Sequence, residues 1–262
     1  MVLGWLPEPA LQFVKKIYYL RRLESFSTEE EPDLKVVQYL VKPGDYVIDI
    51  GANIGIYSKF FSELVGPDGR VYSIEPVPST YEILCSNISR LLLANVEPVN
   101  CAISDRNAVV TMEIPRFPRG GENYYRAYII KESMRDTKVR SVDVEAVTID
   151  SKFLDISGRI SFIKCDVEGH ELACLEGAKR FLAQCQPACL IEISDDPDNS
   201  ESSGYQVFEL LSERGYSPWV FDRMVLKRRI PGQINTNYFF LRDEHIDILE
   251  TQEPNLFKSS PK

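Results

Sequence analysis

The 262 residues carry a net charge of −9, with 44% hydrophobic and 26% charged side chains. That is the composition of a globular protein with a sizeable core, and its acidity argues against nucleic acid or an anionic membrane as partner. The length suits a single α/β domain, and no apolar run approaches the ~18–20 residues a membrane span needs.

The opening, Met1-Val2-Leu3-Gly4-Trp5-Leu6-Pro7-Glu8-Pro9, has no basic stretch followed by an apolar core. The expectation is a chain without a secretory signal, residing in the cytoplasm. Residues 8–24 and 31–41 have helical spacing, the second behind a Thr-Glu-Glu-Glu-Pro start that serves as a cap. Residues 1–42 therefore read as an N-terminal helical extension, 43–246 as the main domain and 247–262 as a C-terminal tail, loose from Glu253 to Lys262.

Lys42-Pro43-Gly44 is a turn signal, and alternation begins after it. Asp45–Ile50 is a short apolar strand, followed by a glycine-rich turn and a helix through Val65. Val71–Ile74 is the next strand, Ser79–Leu93 a helix and Val96–Ile103 a third strand. Strands separated by helices of this length form parallel βαβ units. The rhythm then breaks: Val109–Ile114 and Val139–Ile149 both have period-2 character and suit antiparallel neighbours. It resumes with strand Ile160–Cys165, helix Glu171–Ala183, strand Ala188–Ile193 and a helix near Tyr205–Arg214. Ser217–Phe221 and Asn237–Leu241 are too close for a crossover helix and should pair antiparallel.

The sharpest motif is Asp49-Ile50-Gly51-Ala52-Asn53-Ile54-Gly55, where a strand hands over to a helix. Gly51 permits close approach of a ligand to the backbone, and Gly55 permits close helix packing. A helix N-terminus suits an anion and Asp49 suits an ammonium, so the pair matches an amino-acid moiety. Glu75 ends the next strand, 24 residues after Gly51, where a nucleoside-binding sheet places a carboxylate for the ribose hydroxyls. A dinucleotide fingerprint is Gly-x-Gly-x-x-Gly, whereas here the pattern is Asp-x-Gly-x-Asn-x-Gly. That difference favours S-adenosylmethionine over a nicotinamide or flavin cofactor. A nucleotide-binding oxidoreductase and a catalytically idle adenosylmethionine-binding module remain as alternatives.

On these residues the chain resembles the FkbM family of class I methyltransferases over roughly residues 43–245. The resemblance rests on Asp49–Gly55 with Ile56-Tyr57-Ser58, Glu75-Pro76-Val77-Pro78 with Asn87, Ala102-Ile103-Ser104-Asp105, Lys164-Cys165-Asp166-Val167-Glu168-Gly169-His170-Glu171, and Ile191-Glu192-Ile193. The Asp-Val-Glu-Gly-x-Glu segment, followed by Leu175-Glu176-Gly177-Ala178, is the most diagnostic. The resemblance implies a Rossmann-like α/β fold, a mostly parallel seven-stranded sheet of order 3-2-1-4-5-7-6 with strand 7 antiparallel. It implies methyl transfer from S-adenosylmethionine, usually to oxygen, on a small-molecule or carbohydrate acceptor.

Carried over by position, Gly51, Asn53 and Gly55, with Ala52 between them, would line the methionine and ribose, and Glu75 would bind the ribose. Ser104 and Asp105 would sit near the adenine, or form an Asx-type turn after a strand. Asp166, ending the fourth strand at the switch region, would face the donor's amino group or the acceptor. Glu168 and His170 are the candidate bases: His170 titrates near neutrality. Their plain alternatives are a helix cap for Glu168 and a polar first-turn residue for His170. Asp166, Glu168, His170 and Glu171 also have metal-ligating chemistry, but adjacent ligands in a tight turn seldom converge on one ion, so no metal is expected.

The stretch Arg116–Lys138 holds Arg116, Arg119, Arg126, Lys131, Arg135 and Lys138 with Tyr124, Tyr125 and Tyr128. It suits a sugar, phosphate or carboxylate-bearing acceptor, or is a solvated loop. Cys185 and Cys189 read as core residues, since a zinc site would need two further ligands nearby. The remaining cysteines form no Cys-x-x-Cys pair and read as reduced thiols. Asn87-Ile88-Ser89 is a formal glycosylation acceptor, inside a helical stretch.

Overall fold

Strands and helices alternate from residue 46 onward, as the pattern of apolar runs dictates. The computed structural model describes residues 8–115, 127–130 and 139–258. In chain order its strands are β1 (Tyr46–Ile50), β2 (Arg70–Ile74), β3 (Val96–Val99), β4 (Ala102–Ile103), β5 (Ala108–Ile114), β6 (Tyr128–Ile130), β7 (Arg140–Val147), β8 (Ile160–Cys165), β9 (Ala188–Glu192), β10 (Ser217–Asp222), β11 (Val225–Arg228) and β12 (Asn237–Leu241). The helices are α1 (Glu8–Glu24), α2 (Leu34–Leu40), α3 (Ile56–Val65), α4 (Pro78–Arg90), α5 (Ile149–Phe153), α6 (Glu171–Glu176), α7 (Lys179–Cys185), α8 (Ser203–Ser212) and α9 (Asp243–Gln252).

The main sheet has eight strands in the order β3-β2-β1-β8-β9-β12-β10-β11. From β3 to β9 every pairing is parallel. β12 then runs antiparallel to both β9 and β10. This is the expected order 3-2-1-4-5-7-6 with its antiparallel seventh strand, extended by an eighth strand, β11. Sequence reading missed β11 because Arg223 and Met224, both at positive φ, turn the chain back through a hairpin with no glycine or proline to mark it.

The central strands are buried on both faces, which is why they read as near-continuous apolar runs. Val47 and Phe162 pack on one face with Phe61 of α3, Val37 of α2 and Leu249 of α9. Ile48, Ile50 and Ile163 pack on the other with Phe153 of α5, Phe181 of α7 and Leu211 of α8.

The third strand splits where a single run was expected. Asn100 donates from Nδ2 to the carbonyls of Glu75 (2.8 Å) and Pro76 (3.0 Å), turning the chain off the main sheet. β4 then opens a second sheet, β4-β7-β5-β6, in which β5 and β7 form the expected antiparallel pair. Met112, Ala127 and Val144 form its small core. Within Arg116–Lys138, Ala127 and strand β6 (Tyr128–Ile130) are described; Arg116, Arg119, Tyr124, Tyr125, Arg126, Lys131, Arg135 and Lys138 lie outside the described residues.

The helix expected over Glu171–Ala183 is two helices. Asp150 accepts from the backbone N–H of Arg180 (3.1 Å) and Phe181 (2.8 Å), capping α7 from another element and starting a new helix there.

The expected loose tail is also overturned for the described residues. α9 runs to Gln252, and a 3-10 turn over Pro254–Phe257 buries Leu256 and sets Phe257 edge-on to Trp219 at 5.9 Å. Leu256→Ala should therefore cost about 2 kcal/mol in urea unfolding, the low end for a buried leucine. A change under about 0.5 kcal/mol, the range of surface substitutions, would return this segment to a tail.

All six cysteines are free, with Cys189 buried and Cys185 half-buried. Asn87 is buried and donates to the Ile54 carbonyl at 2.9 Å, so its formal glycosylation signal is an internal anchor for the turn after β1.

Candidate active site

The chain crosses from one side of the sheet to the other between β1 and β8, and ligands of open α/β sheets bind at the strand ends of such a switch point. Here Gly51 follows β1 and Asp166 follows β8, and Asp166 donates its N–H to the Ile50 carbonyl at 3.1 Å. Gly51 has φ +79°, and a Cβ on it would lie 1.8 Å from the Asp166 carbonyl oxygen. Only glycine lets the two strand ends come this close.

A cavity of about 220 Å3 opens above this point, with Gly51, Asn53, Glu75, Asp166, Glu168, His170 and Glu192 on its wall. Its apolar side comes from Pro76 and Val77 after β2, Cys101–Ile103, and Met112, Ala127 and Ile129 of the second sheet. A second groove, of about 650 Å3, shares Ile129 and His170 with it and continues along Asp105, Thr111 and Asp143.

Glu75 is buried, and each carboxylate oxygen accepts one backbone N–H, from Asn53 (3.1 Å) and Val77 (2.9 Å). Burial pushes its carboxyl up to about 7 even against those two bonds. A carboxylate has about four lone-pair sites, so two bonds leave capacity for a ligand's hydroxyl donors. Asn53 reaches its position through a left-handed φ of 51°, tolerated by asparagine.

Asp49 is not on the wall. It is fully buried beneath the turn, where Ser58 Oγ donates to Oδ2 at 2.7 Å and Ser73 Oγ donates to Ser58 Oγ at 2.8 Å. Burial raises its carboxyl, partly offset by Lys164. Ala52 is buried behind Asn53, its N–H given to the Ile74 carbonyl. Gly55 also lies off the wall: at φ +98° it starts α3, and a Cβ there would meet Leu84 Cδ1 at 2.9 Å. Of the expected donor residues, Gly51, Asn53, Glu75 and Asp166 are thus brought together, while Asp49, Ala52 and Gly55 shape the turn from behind.

Sequence reading named Lys164 only as part of a motif and gave it no role. It is buried inside β8, donates to Asp166 Oδ2 at 3.0 Å, and its ammonium stands 4.7 Å from the Tyr57 ring centroid. Burial alone would depress this ammonium, but the charges of Asp166 and Asp49 outweigh it and hold it above its ordinary value. A lysine within an apolar strand, two residues before an acid, was the available signal. Glu192 was missed as a wall residue in the same way, at the end of an apolar strand.

The segment after Asp166 is a tight turn with Glu168 at φ 53° and Gly169 at φ 95°. Glu171 holds it by accepting from the N–H of Val167 (3.3 Å) and Gly169 (3.0 Å). The capping carboxylate is therefore Glu171, and Glu168 faces the cavity.

His170 Nε2 lies 2.9 Å from Ser104 Oγ, and Ser104 Oγ donates to Asp105 Oδ1 at 3.1 Å. Serine has one proton; given to Asp105, it leaves Oγ to accept from His170 Nε2–H and makes Nδ1 the bare nitrogen. Burial holds the imidazole below its ordinary value, partly offset by Asp105, so it is neutral at pH 7. Ser104 and Asp105 line the second groove rather than the cavity expected to take the adenine. No three His, Cys, Asp or Glu side chains among the described residues are grouped to hold a metal ion.

The fold is that of the class I methyltransferases, enzymes that use S-adenosylmethionine, and the cavity at its strand ends carries a buried carboxylate after β2 and a glycine cradle after β1. The Methyltransferase FkbM domain is matched over residues 49–218, and the chain belongs to that family. It is 26% identical over 157 residues to Methyltransferase sdnD of Sordaria araneosa, covering 50% of this chain and 60% of that protein. It is 25% identical over 215 residues to the hexuronic acid methyltransferase AglP of Haloferax volcanii, covering 81% of this chain and 78% of that protein. The 31-O-demethyl-FK506 methyltransferase FkbM of Streptomyces tacrolimicus is 38% identical over 72 residues, covering 28% of this chain and 27% of that protein. A crystal structure of methyltransferase FkbM from Methylobacillus flagellatus KT aligns with TM-score 0.46 and 16% identity, over 87% of this chain and 59% of that one.

Proposed function

We propose that this enzyme methylates a hydroxyl oxygen of a small-molecule or carbohydrate acceptor. The observation that carries the reading is His170, neutral and held by Ser104 and Asp105 on the wall shared by the donor cavity and an open groove. In its support, one relative is named for a 31-O position and another for a hexuronic acid.

Glu75 would hold the ribose, the backbone at Gly51 and Asn53 would lie beside it, and Asp166, steadied by Lys164, would take the methionine ammonium. Bound there, S-adenosylmethionine supplies an electrophilic methyl group and leaves as a neutral thioether. The chain's own task is alignment and removal of a proton. His170 Nδ1 or the Glu168 carboxylate receives the acceptor's hydroxyl proton. Ser104 and Asp105 then serve as orienting partners of the imidazole.

The reading is tested with donor carrying a tritiated methyl group and a panel of neutral hexoses, hexuronic acids and lipophilic alcohols. Label in an alkali-stable methyl ether is the expected product. Label on nitrogen or carbon, or in an alkali-labile ester, would assign another acceptor atom.

A further inference from the structure

The donor cavity is walled by the carboxylates of Glu75, Asp166, Glu168 and Glu192, with no lysine or arginine among its described wall residues. Three of these acids already have partners within the chain: Glu75 accepts from backbone N–H groups, Asp166 accepts from Lys164, and Glu168 also has one. Glu192 is different. It is half-buried, ends β9, and its carboxylate accepts no hydrogen bond among the described residues.

Its place in the sheet says what it is for. Cys165 faces Ile191 in the β8–β9 ladder, so Asp166 and Glu192 are the next residues outward on adjacent strands. Glu75 follows β2, on the opposite side of β1 from β8 and β9. If Glu75 holds the nucleoside, as the functional reading has it, the far end of the cavity belongs to the reacting end of the donor. The donor and its spent product differ there by one charge: S-adenosylmethionine is a sulfonium, S-adenosylhomocysteine a neutral thioether. A half-buried carboxylate that accepts no hydrogen bond among the described residues discriminates between the two, because little solvent screens it.

We infer that Glu192 recognises the sulfonium charge and makes the cavity prefer the charged donor over its demethylated product, which favours product release. Lys164 of β8, Asp166 just after it, Glu168 of the following turn and Glu171 of α6 are the charged groups facing it, and three of these four are acids. Burial, and then the charge of Asp166, push the Glu192 carboxyl up to about 7 in the ligand-free protein. Its charge, and with it the discrimination, is therefore lost as the pH falls below neutrality.

Calorimetric titration tests this without knowledge of the acceptor. The probes are S-adenosylmethionine, S-adenosylhomocysteine and sinefungin, in which an amine-bearing carbon replaces the methylsulfonium. Glu192→Gln keeps the side chain's size and should weaken the two cationic ligands about tenfold while leaving S-adenosylhomocysteine within about twofold. In the wild type, the affinity ratio of S-adenosylmethionine to S-adenosylhomocysteine should rise between pH 5.5 and 7. Titration of Glu75 acts on the ribose common to both ligands and cancels in that ratio. An equal change for all three ligands, or a ratio flat with pH, would overturn the role of Glu192. No binding of any probe to the wild type would overturn the donor assignment itself, and this inference with it.

Discussion

Gly51→Ala is expected to lower stability by about 2–5 kcal/mol and to remove donor binding from whatever folds. Two costs combine. A non-glycine residue at φ +79° carries a left-handed penalty of roughly 1–2 kcal/mol. The new methyl would also lie 1.8 Å from the Asp166 carbonyl oxygen, so β1 and β8 must part, at the roughly 1–3 kcal/mol of an overpacked core. The same displacement breaks the 3.1 Å bond from Asp166 N–H to the Ile50 carbonyl and moves the wall on which the donor lies. Gly55→Ala is the comparison, since its methyl would meet only the end of the Leu84 side chain, which can move. Urea unfolding of both variants checks the order. Equal stability of Gly51→Ala and wild type would mean that the strand ends do not approach as described.

His170→Gln and Glu168→Gln address the chemistry. An aliphatic hydroxyl becomes a competent nucleophile only as its proton leaves, and a base within hydrogen-bond reach contributes about 10²–10⁴-fold. At least one of the two variants should lose turnover by that factor while binding S-adenosylmethionine as the wild type does. The pH profile separates them. His170 is depressed by burial, so as a base it would be lost only when the pH falls below its ordinary range. The acidic limb should then lie below about 6.5 and vanish in His170→Gln. Full turnover in both variants would reduce this cluster to a scaffold and leave alignment as the whole of catalysis.

Much of this was legible in the sequence for a physical reason. β1, β8 and β9 are buried on both faces, so they appear as near-continuous apolar runs, and each ends at a residue on the cavity wall or next to one. Gly51 and Glu75 stand out because a close approach and a buried acid leave a residue-type signature. What escaped depends on contacts between distant segments. The break between α6 and α7 is made by Asp150, thirty residues earlier, and the bend after β3 by Asn100 reaching back to Glu75 and Pro76. The direction of a side chain escaped as well. Asp49 alternates along β1 to the face of Val47 and Ser58, under α3 instead of into the cavity. Ser104 and Asp105 face His170 because of the second sheet, which no short motif encodes.

The central claim is that the cavity at the ends of β1, β2 and β8 binds S-adenosylmethionine through Glu75. Calorimetric titration of wild type and Glu75→Ala with S-adenosylmethionine, S-adenosylhomocysteine, NAD and NADP tests it most directly. The wild type should bind the first two and neither dinucleotide. Glu75→Ala, still folded, should bind the donor about tenfold to hundredfold more weakly, the loss of roughly 1.5–3 kcal/mol from a hydrogen bond to a charged group. Binding of a dinucleotide in place of the donor, or unchanged donor affinity in a folded Glu75→Ala, would contradict the account.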